Sequence, residues 1–124
     1  MKILWIDDMK QPSFYNEVFP ELATCELLVI CRDFNTARVA LHSWLINWDR
    51  IYIDHDLGGE KTGYDLMCCL EAGQAEADPS DSLVPLSKTG EIHIISNNPV
   101  GAQRMYDLGV KLLGTGRVFR SSVM

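Results

Sequence analysis

The sequence lacks any long hydrophobic run, and this absence argues against a membrane-spanning helix. None of its apolar stretches approaches the roughly 20 residues that a transmembrane helix needs. A secretory signal is also missing, because Asp7 and Asp8 interrupt the apolar stretch near the N-terminus. We therefore expect a cytoplasmic protein that does not use a membrane.

Basic residues are also scarce. The chain has 11 Lys and Arg against 17 Asp and Glu, which gives a formal net charge of −6. This balance argues against non-specific binding to nucleic acids or anionic membranes, since both require a basic surface. It still allows a small basic patch, formed by Arg104, Lys111, Arg117 and Arg120.

The cysteines show no metal-binding pattern. The spacing of Cys25, Cys31, Cys68 and Cys69 matches no familiar zinc motif. We interpret all four as reduced, mostly buried thiols, which suits a protein of a reducing compartment.

What the chain does contain is a series of short apolar runs. Ile3–Ile6, Ile51–Ile53 and Ile92–Ile95 are continuous, as in strands buried on both faces of a parallel sheet. Helical patterns lie between the strands, which indicates βαβ connections. We therefore predict one domain, residues 1–124, that forms a three-layer α/β/α sandwich of about five strands.

The other elements follow from spacing and from capping residues. A short helix, interrupted by Pro20, is predicted from Phe14 to Leu22, and a strand from Cys25 to Cys31. A predicted helix through Ala37 to Leu45 is capped by Asp33 or Asn35 and carries His42 on its surface. Another predicted helix starts at Thr62–Asp65, and an exposed loop is expected to follow at Ala77–Gly90. The next predicted helix starts at Asn98–Pro99 and stops near Leu108–Gly109, and the last strand is expected at either Val110–Leu113 or Arg117–Arg120. No helix is expected after that strand.

Acidic residues follow two of the buried strands. Asp7 and Asp8 close the first, and Asp54 and Asp56 close the strand that begins at Ile51. Strand alternation places Asp54 and Asp56 on one face if that strand extends so far. Carboxylates in one cleft repel each other by several kcal/mol unless a cation is bound. Mg²⁺, or another divalent ion such as Mn²⁺, is therefore predicted at Asp7, Asp8, Asp54 and Asp56; the alternative is that they are ordinary loop and capping residues.

Two histidines lie in or beside the predicted strands. His55 fits three roles: a metal ligand, a general acid or base, or a polar residue that leaves the sheet. His93 lies inside an apolar run and is predicted to be a hydrogen-bonded core residue.

The segment after the strand at Ile92–Ile95 suits an anion. Ser96, Asn97 and Asn98 precede a helix N-terminus, where free N–H groups and the helix dipole favour phosphate. Arg104, near the second turn of that helix, is placed to reach the same anion. The alternative is ordinary helix capping by Asn98.

These residues together resemble a known superfamily. An acidic pair after strand one, an Asp closing strand three and a Ser closing strand four are similar to the response-regulator receiver domain. The resemblance implies a flavodoxin-like sheet of strand order 2-1-3-4-5, with Mg²⁺ at Asp7, Asp8 and the strand-three Asp. It also implies that Asp54, rather than Asp56, accepts a phosphoryl group that Ser96 senses.

Two departures separate the chain from ordinary receivers. The Xaa-Pro pair that follows the phosphoacceptor in receivers is replaced here by Asp56-Leu57-Gly58. The Lys that closes strand five in receivers has no clear equivalent, although Lys111 or Arg117 could substitute. The segments Met1–Asp8, Ile53–Gly58 and Ile92–Gly101 are more similar to a divergent branch, the cyclic-phosphate processing receiver domains, which the resemblance implies act on cyclic phosphates such as those left by RNA cleavage.

Three functions are consistent with the sequence. The first is a metal-dependent phosphoesterase for a cyclic nucleotide or an RNA 2′,3′-cyclic end, in which Asp54, His55 and Asp56 are catalytic and Ser96, Asn97, Asn98 and Arg104 bind phosphate. The second is a stand-alone switch that is phosphorylated on Asp54 and contacts a protein partner. The third is an inactive module that binds a nucleotide or a protein.

Overall fold

The structure, a computed structural model, describes residues 1–41, 47–75 and 89–121, with side chains as far as residue 72 in the second range. Its strands are Lys2–Ile6 (β1), Leu27–Cys31 (β2), Arg50–Ile53 (β3), Glu91–Ile94 (β4) and Val118–Arg120 (β5). Its helices are Glu21–Thr24 (α1), Phe34–Leu41 (α2), Gly63–Ala75 (α3) and Pro99–Leu113 (α4), and 3₁₀ turns span Pro12–Tyr15 and Thr115–Arg117. The predictions for His42, Trp44, Leu45 and most of the Ala77–Gly90 loop lie outside the described residues.

The strands form one parallel sheet in the order β2-β1-β3-β4-β5, which confirms the predicted topology. The last strand is the one predicted at Arg117–Arg120, whereas Val110–Leu113 belongs to α4. In the part of the chain that the structure describes, no helix follows β5. None of the described helices is long and apolar enough to cross a membrane.

Side chains alternate between the two faces of the sheet, as the pleat requires. On β1, Leu4 and Ile6 face a core shared with α2, α3 and α4, whereas Ile3 and Trp5 face the opposite side. That second side is covered by α1 and its preceding segment, through Phe19 and Leu22. The result is the predicted α/β/α sandwich, with one helical layer much thinner than the other.

The predicted helix from Phe14 to Leu22 is wrong. A 3₁₀ turn at Pro12–Tyr15 and a single helical turn at Glu21–Thr24 replace it. Both segments begin beside a proline, which supplies no N–H for a continuous helix.

The predicted helix caps are confirmed. Asp33 Oδ1 accepts from Thr36 N at 2.8 Å at the start of α2, so Asp33 rather than Asn35 is the cap. Asp65 Oδ2 accepts from Thr62 N at 2.7 Å at the start of α3. Asn98 caps α4 and Pro99 occupies its first turn.

His93 is a core residue, but its Nε2 atom makes no hydrogen bond to the described residues. The ring stacks between Tyr52 and Phe119 at centroid distances of 4.7 and 4.8 Å, and the nearest carboxylate oxygen, on Glu91, is 3.7 Å from Nε2. Burial lowers the pKa of His93. The prediction of a hydrogen-bonded histidine is therefore wrong for this nitrogen, and stacking takes its place.

All four cysteines are free; Cys31 is buried and the others are half-buried.

The predicted stop at Leu108–Gly109 is also wrong, since α4 continues to Leu113 and ends at Gly114. Gly109 instead permits close packing of α4 on the sheet. A Cβ at this position would lie 2.9 Å from Val118 Cγ1 and 3.2 Å from Met67 Cε.

We expect Gly109→Val to lower the free energy of unfolding by about 1–3 kcal/mol, the usual cost of overpacking a core. Urea unfolding at neutral pH measures the change. Gly116→Ala is the matched control, because a Cβ there meets nothing within 4 Å. Equal stability of Gly109→Val and the wild type would contradict the close packing of α4 on β5.

Candidate functional site

The carboxyl ends of β1, β3 and β4 meet at one rim, because strand pairing continues one residue past each strand. Asp7 N donates to Cys31 O at 3.1 Å and Asp54 N donates to Ile6 O at 2.9 Å. Ile95 N donates to Ile53 O at 3.1 Å, which places Ser96 at the same rim.

Asp7, Asp8 and Asp54 form a compact acidic group at this rim. Each offers one carboxylate oxygen, and these oxygens all lie within 4.8 Å of one another. Asp7 is fully buried and Asp54 is 6% exposed, so neither carboxylate is well solvated.

Asp56 stands apart from this group. β3 ends at Ile53, so strand alternation does not align Asp56 with Asp54. The Asp56 side chain is 69% exposed. The structure thus brings three of the four predicted metal ligands together, and the fourth points to solvent beside His55.

Lys10, which the sequence predictions did not include, lies among the carboxylates. Its Nζ is 3.2 Å from Asp7 Oδ2 and 3.4 Å from Asp54 Oδ2. Asp7 Oδ1 also accepts from the backbone N–H groups of Met9 and Lys10, at 2.9 and 3.0 Å. The Asp7 carboxylate therefore fixes the loop after β1 and also pairs with Lys10, the cationic residue of that loop.

The electrostatics of the site show an excess of negative charge. Burial raises the pKa of Asp54, and the charge of Asp7 raises it further. Lys10, the His55 N–H and the Ser96 hydroxyl act in the opposite direction, yet the pKa remains above its ordinary value. Burial by itself lowers the pKa of Lys10, but Asp54 and Asp7 outweigh it and raise the pKa.

The two residues expected to substitute for the strand-five lysine lie elsewhere, so that expectation is wrong. Lys111 Nζ bonds Glu71 Oε2 at 2.9 Å, between α4 and α3. Arg117 donates to the carbonyls of Thr89 and Gly90, before β4 and hence at the opposite end of the sheet.

His55 is held beside the rim by its neighbours. Its Nδ1 is 3.0 Å from Asp56 Oδ1 and 3.5 Å from Asn98 Nδ2. The ring packs on the first turn of α4, where a Cβ on Gly101 would lie 2.4 Å from His55 Cδ2. Since a carboxylate can only accept, Asp56 favours the tautomer with the proton on Nδ1 and leaves Nε2 as the basic nitrogen.

The predicted phosphate residues have different surroundings. Ser96 is buried and its Oγ accepts from Asn98 N at 3.0 Å, while Asn97 is exposed. Asn98 Oδ1 accepts from Gly101 N at 3.0 Å, which is the capping role. Arg104 lies over the Tyr64 ring, with Cζ 4.1 Å from the centroid. Phosphate contact by these residues stays a prediction.

A groove of about 340 Å³ opens next to the acidic group. It lies between the loops after β2 and β3 and is lined by residues that include Phe34, Asn35, Gly58 and Lys61. A Cβ on Gly58 would be 3.2 Å from Asp8 Oδ2, so the groove and the carboxylates are adjacent.

The sequence matches the profile of the Cyclic-phosphate processing Receiver domain over residues 2–110. The chain belongs to that family. As a receiver domain it is of the response-regulator type, a class that takes a phosphorylated ligand or a protein partner.

Solved structures support the fold of this receiver. A response regulator receiver domain from Rhodospirillum rubrum is 17% identical with a TM-score of 0.61, and the match covers 98% of this chain and 80% of that one. A response regulator protein from Burkholderia pseudomallei, solved with a phosphorylated aspartic acid, a calcium ion and citrate, is 15% identical with a TM-score of 0.58, over 99% of this chain and 61% of that one. No curated protein matches the sequence.

The only sequence signal for Lys10 is its closeness to Asp7 along the chain. It stands three residues after Asp7 in the loop that follows β1. Its contact with Asp54, however, spans 44 positions and depends on how the loop folds.

We expect Asp54→Asn to stabilise the metal-free protein by roughly 1 kcal/mol at neutral pH. The raised pKa means that folded Asp54 keeps its proton to higher pH than the unfolded chain. Its contribution to stability is therefore full below the ordinary Asp pKa of about 4 and falls as the pH rises through the folded value. The gain in the variant should be absent near pH 3 and grow above it.

Urea unfolding in a chelator, at a series of pH values, measures this difference. Asp107→Asn, on the exposed face of α4, is the control for loss of one negative charge. A variant less stable than the wild type at neutral pH would contradict the view that burial and the charge of Asp7 make the ionised Asp54 unfavourable.

Proposed function

We propose that this receiver domain binds a small cyclic phosphate and, with a divalent cation, opens its ring to a phosphate monoester. The observation that carries the proposal is the group of Asp7, Asp8 and Asp54, with oxygens within 4.8 Å, at the same rim as His55 and the start of α4. The family description, which concerns cyclic phosphates, supports the choice of substrate.

The carboxylate group fits Mg²⁺ or Mn²⁺. It presents the hard oxygen ligands that these ions prefer. Among the described residues, Lys10 is the cationic side chain that pairs with Asp7 and Asp54. Asp7, Asp8 and Asp54 would hold the ion. When bound, a divalent cation neutralises these carboxylates and polarises a phosphoryl oxygen.

The start of α4 would receive the remaining phosphate oxygens. Neutral donors at the rim would come from Ser96 and Asn97. The positive end of the α4 dipole would attract the anion. Such donors stabilise the charge that builds up on phosphate oxygens during the reaction.

His55 would carry out proton transfer in this reaction. Asp56 orients its ring through Nδ1, so Nε2 takes the proton of the attacking water and returns it to the leaving oxygen. The water oxygen forms the new bond to phosphorus, one ring P–O bond breaks, and the product is a monoester.

The adjacent groove gives room for the rest of the substrate. Phe34 offers an aromatic wall and Asn35 offers hydrogen bonds to a nucleoside. An RNA end with a 2′,3′-cyclic phosphate carries the same chemical group as a cyclic nucleotide.

Incubation with 2′,3′-cyclic nucleotides and Mg²⁺, followed by chromatography of the monoester, tests the activity. We expect His55→Gln to lower kcat by about 10²–10⁴-fold, the usual share of a general acid-base. Asp107→Asn, which lies outside the rim, should retain full activity. Turnover no greater than that of Asp54→Ala across several cyclic phosphates would contradict the proposal.

A second function is a phosphoacceptor switch, and one observation favours it. Asp54 lies 3.4 Å from a lysine ammonium, the kind of partner that an acceptor carboxylate uses in receivers. The Burkholderia pseudomallei relative, with its phosphorylated aspartic acid and calcium ion, supplies the precedent.

Intact-mass measurement after treatment with acetyl phosphate and Mg²⁺ tests the switch. We expect a gain of one phosphoryl group in the wild type and none in Asp54→Asn, because the variant lacks the nucleophilic oxygen. An unchanged mass of the wild type would argue against this function.

A further inference from the structure

Lys10 forms ion pairs with two members of the acidic group. In the described ranges, its Nζ is the ion-pair partner of both Asp7 and Asp54, at 3.2 and 3.4 Å. Its side chain is only 18% exposed, unlike that of Lys111, which is 72% exposed. A half-buried amine between two buried carboxylates is not an ordinary surface ion pair.

The backbone of Lys10 is fixed by three hydrogen bonds, and that of Met9 by a fourth. Lys10 N donates to Asp7 Oδ1 at 3.0 Å, as does Met9 N at 2.9 Å. Lys10 O accepts from Trp5 Nε1 at 3.1 Å and from Arg32 Nη1 at 2.6 Å. The Cα of Lys10 is thus anchored at the rim, while its four-carbon stem lets the ammonium move by several ångströms.

The end of β5 offers no lysine at the rim. Ser121 N donates to Ile94 O at 2.8 Å, and Arg120, the last residue of β5, is bonded to Gln103 on α4. Among the described residues that follow β4, no lysine therefore reaches the rim from strand five, where an ordinary receiver brings its positive charge.

We propose that Lys10 supplies this charge from the first loop. Without a ligand it neutralises Asp7 and Asp54, and with a divalent ion present it turns to an oxygen of the bound phosphate. This inference rests on the proposed metal and phosphate site. It makes Lys10 a phosphate-binding residue that also competes with the metal ion.

The two roles give effects of opposite sign. Lys10 and a divalent cation share the oxygens of Asp7 and Asp54, and like charges at such distances repel. Loss of the amine therefore favours the ion. The same loss removes a charge-assisted bond to phosphate, which is among the stronger hydrogen bonds in proteins.

Calorimetric titration of the whole chain tests both effects with Lys10→Met. With Mn²⁺ alone, we expect an affinity about tenfold higher than that of the wild type, a usual coupling between two sites. With inorganic phosphate in saturating Mg²⁺, we expect an affinity about tenfold lower. Lys10→Arg, which keeps the charge, should stay near the wild type in both titrations, and so should Lys111→Met.

Each outcome decides the inference. Weaker Mn²⁺ binding by Lys10→Met, with an unchanged circular dichroism spectrum, would mean that Lys10 only stabilises the conformation of the first loop and does not compete with the ion. Unchanged phosphate affinity would remove its role in phosphate binding. If the wild type binds both probes and Lys10→Met matches it, this inference fails alone; if the wild type binds neither, the proposed function fails with it.

Discussion

Asp7 and Asp54 are brought together by the backbone. Parallel pairing of β1 with β2 and of β3 with β1 uses the N–H groups of these two residues, so their side chains leave the sheet side by side. Burial of two like charges is costly unless positive charge accompanies them. Lys10 supplies one such charge, and the remaining excess makes the site receptive to a divalent cation. The arrangement of the first loop depends on this pair, because Asp7 Oδ1 accepts from the N–H groups of Met9 and Lys10.

The site is maintained at some cost to stability, which is common where function requires desolvated charge. The pKa of Asp54 lies above its ordinary value despite Lys10, the His55 N–H and Ser96, so the charged carboxylate is not fully compensated in the protein alone. An ion that binds only the folded state would return that stability by mass action. Binding of such an ion would therefore link folding to the same three carboxylates.

Much of the fold could be predicted from local patterns. The runs Ile3–Ile6, Ile51–Ile53 and Ile92–Ile95 have the continuous apolar character of strands covered on both faces, and the caps at Asp33, Thr62 and Asn98 mark helix starts. The helix predicted at Phe14–Leu22 failed because Pro20 divides the segment. The stop predicted at Gly109 failed because that glycine serves packing rather than a turn.

The site was less predictable than the fold, since it depends on contacts between distant residues. Strand ends indicated that the acidic residues would meet, but the separation of Asp56 from the group follows from where β3 ends. The position of Lys10 depends on Trp5, in β1, and on Arg32, just after β2, which both donate to its carbonyl. No periodicity or spacing in the sequence encodes such an arrangement.

The bond from Trp5 Nε1 to the carbonyl of Lys10 also has a spectroscopic consequence. Indole emission is sensitive to its hydrogen-bond acceptor and to nearby charge. The indole of Trp5 is fully buried, and its acceptor is the carbonyl of Lys10, the residue that carries the ammonium. Emission of Trp5, measured with Trp44 and Trp48 replaced by Phe, would thus report rearrangement of the first loop without a label.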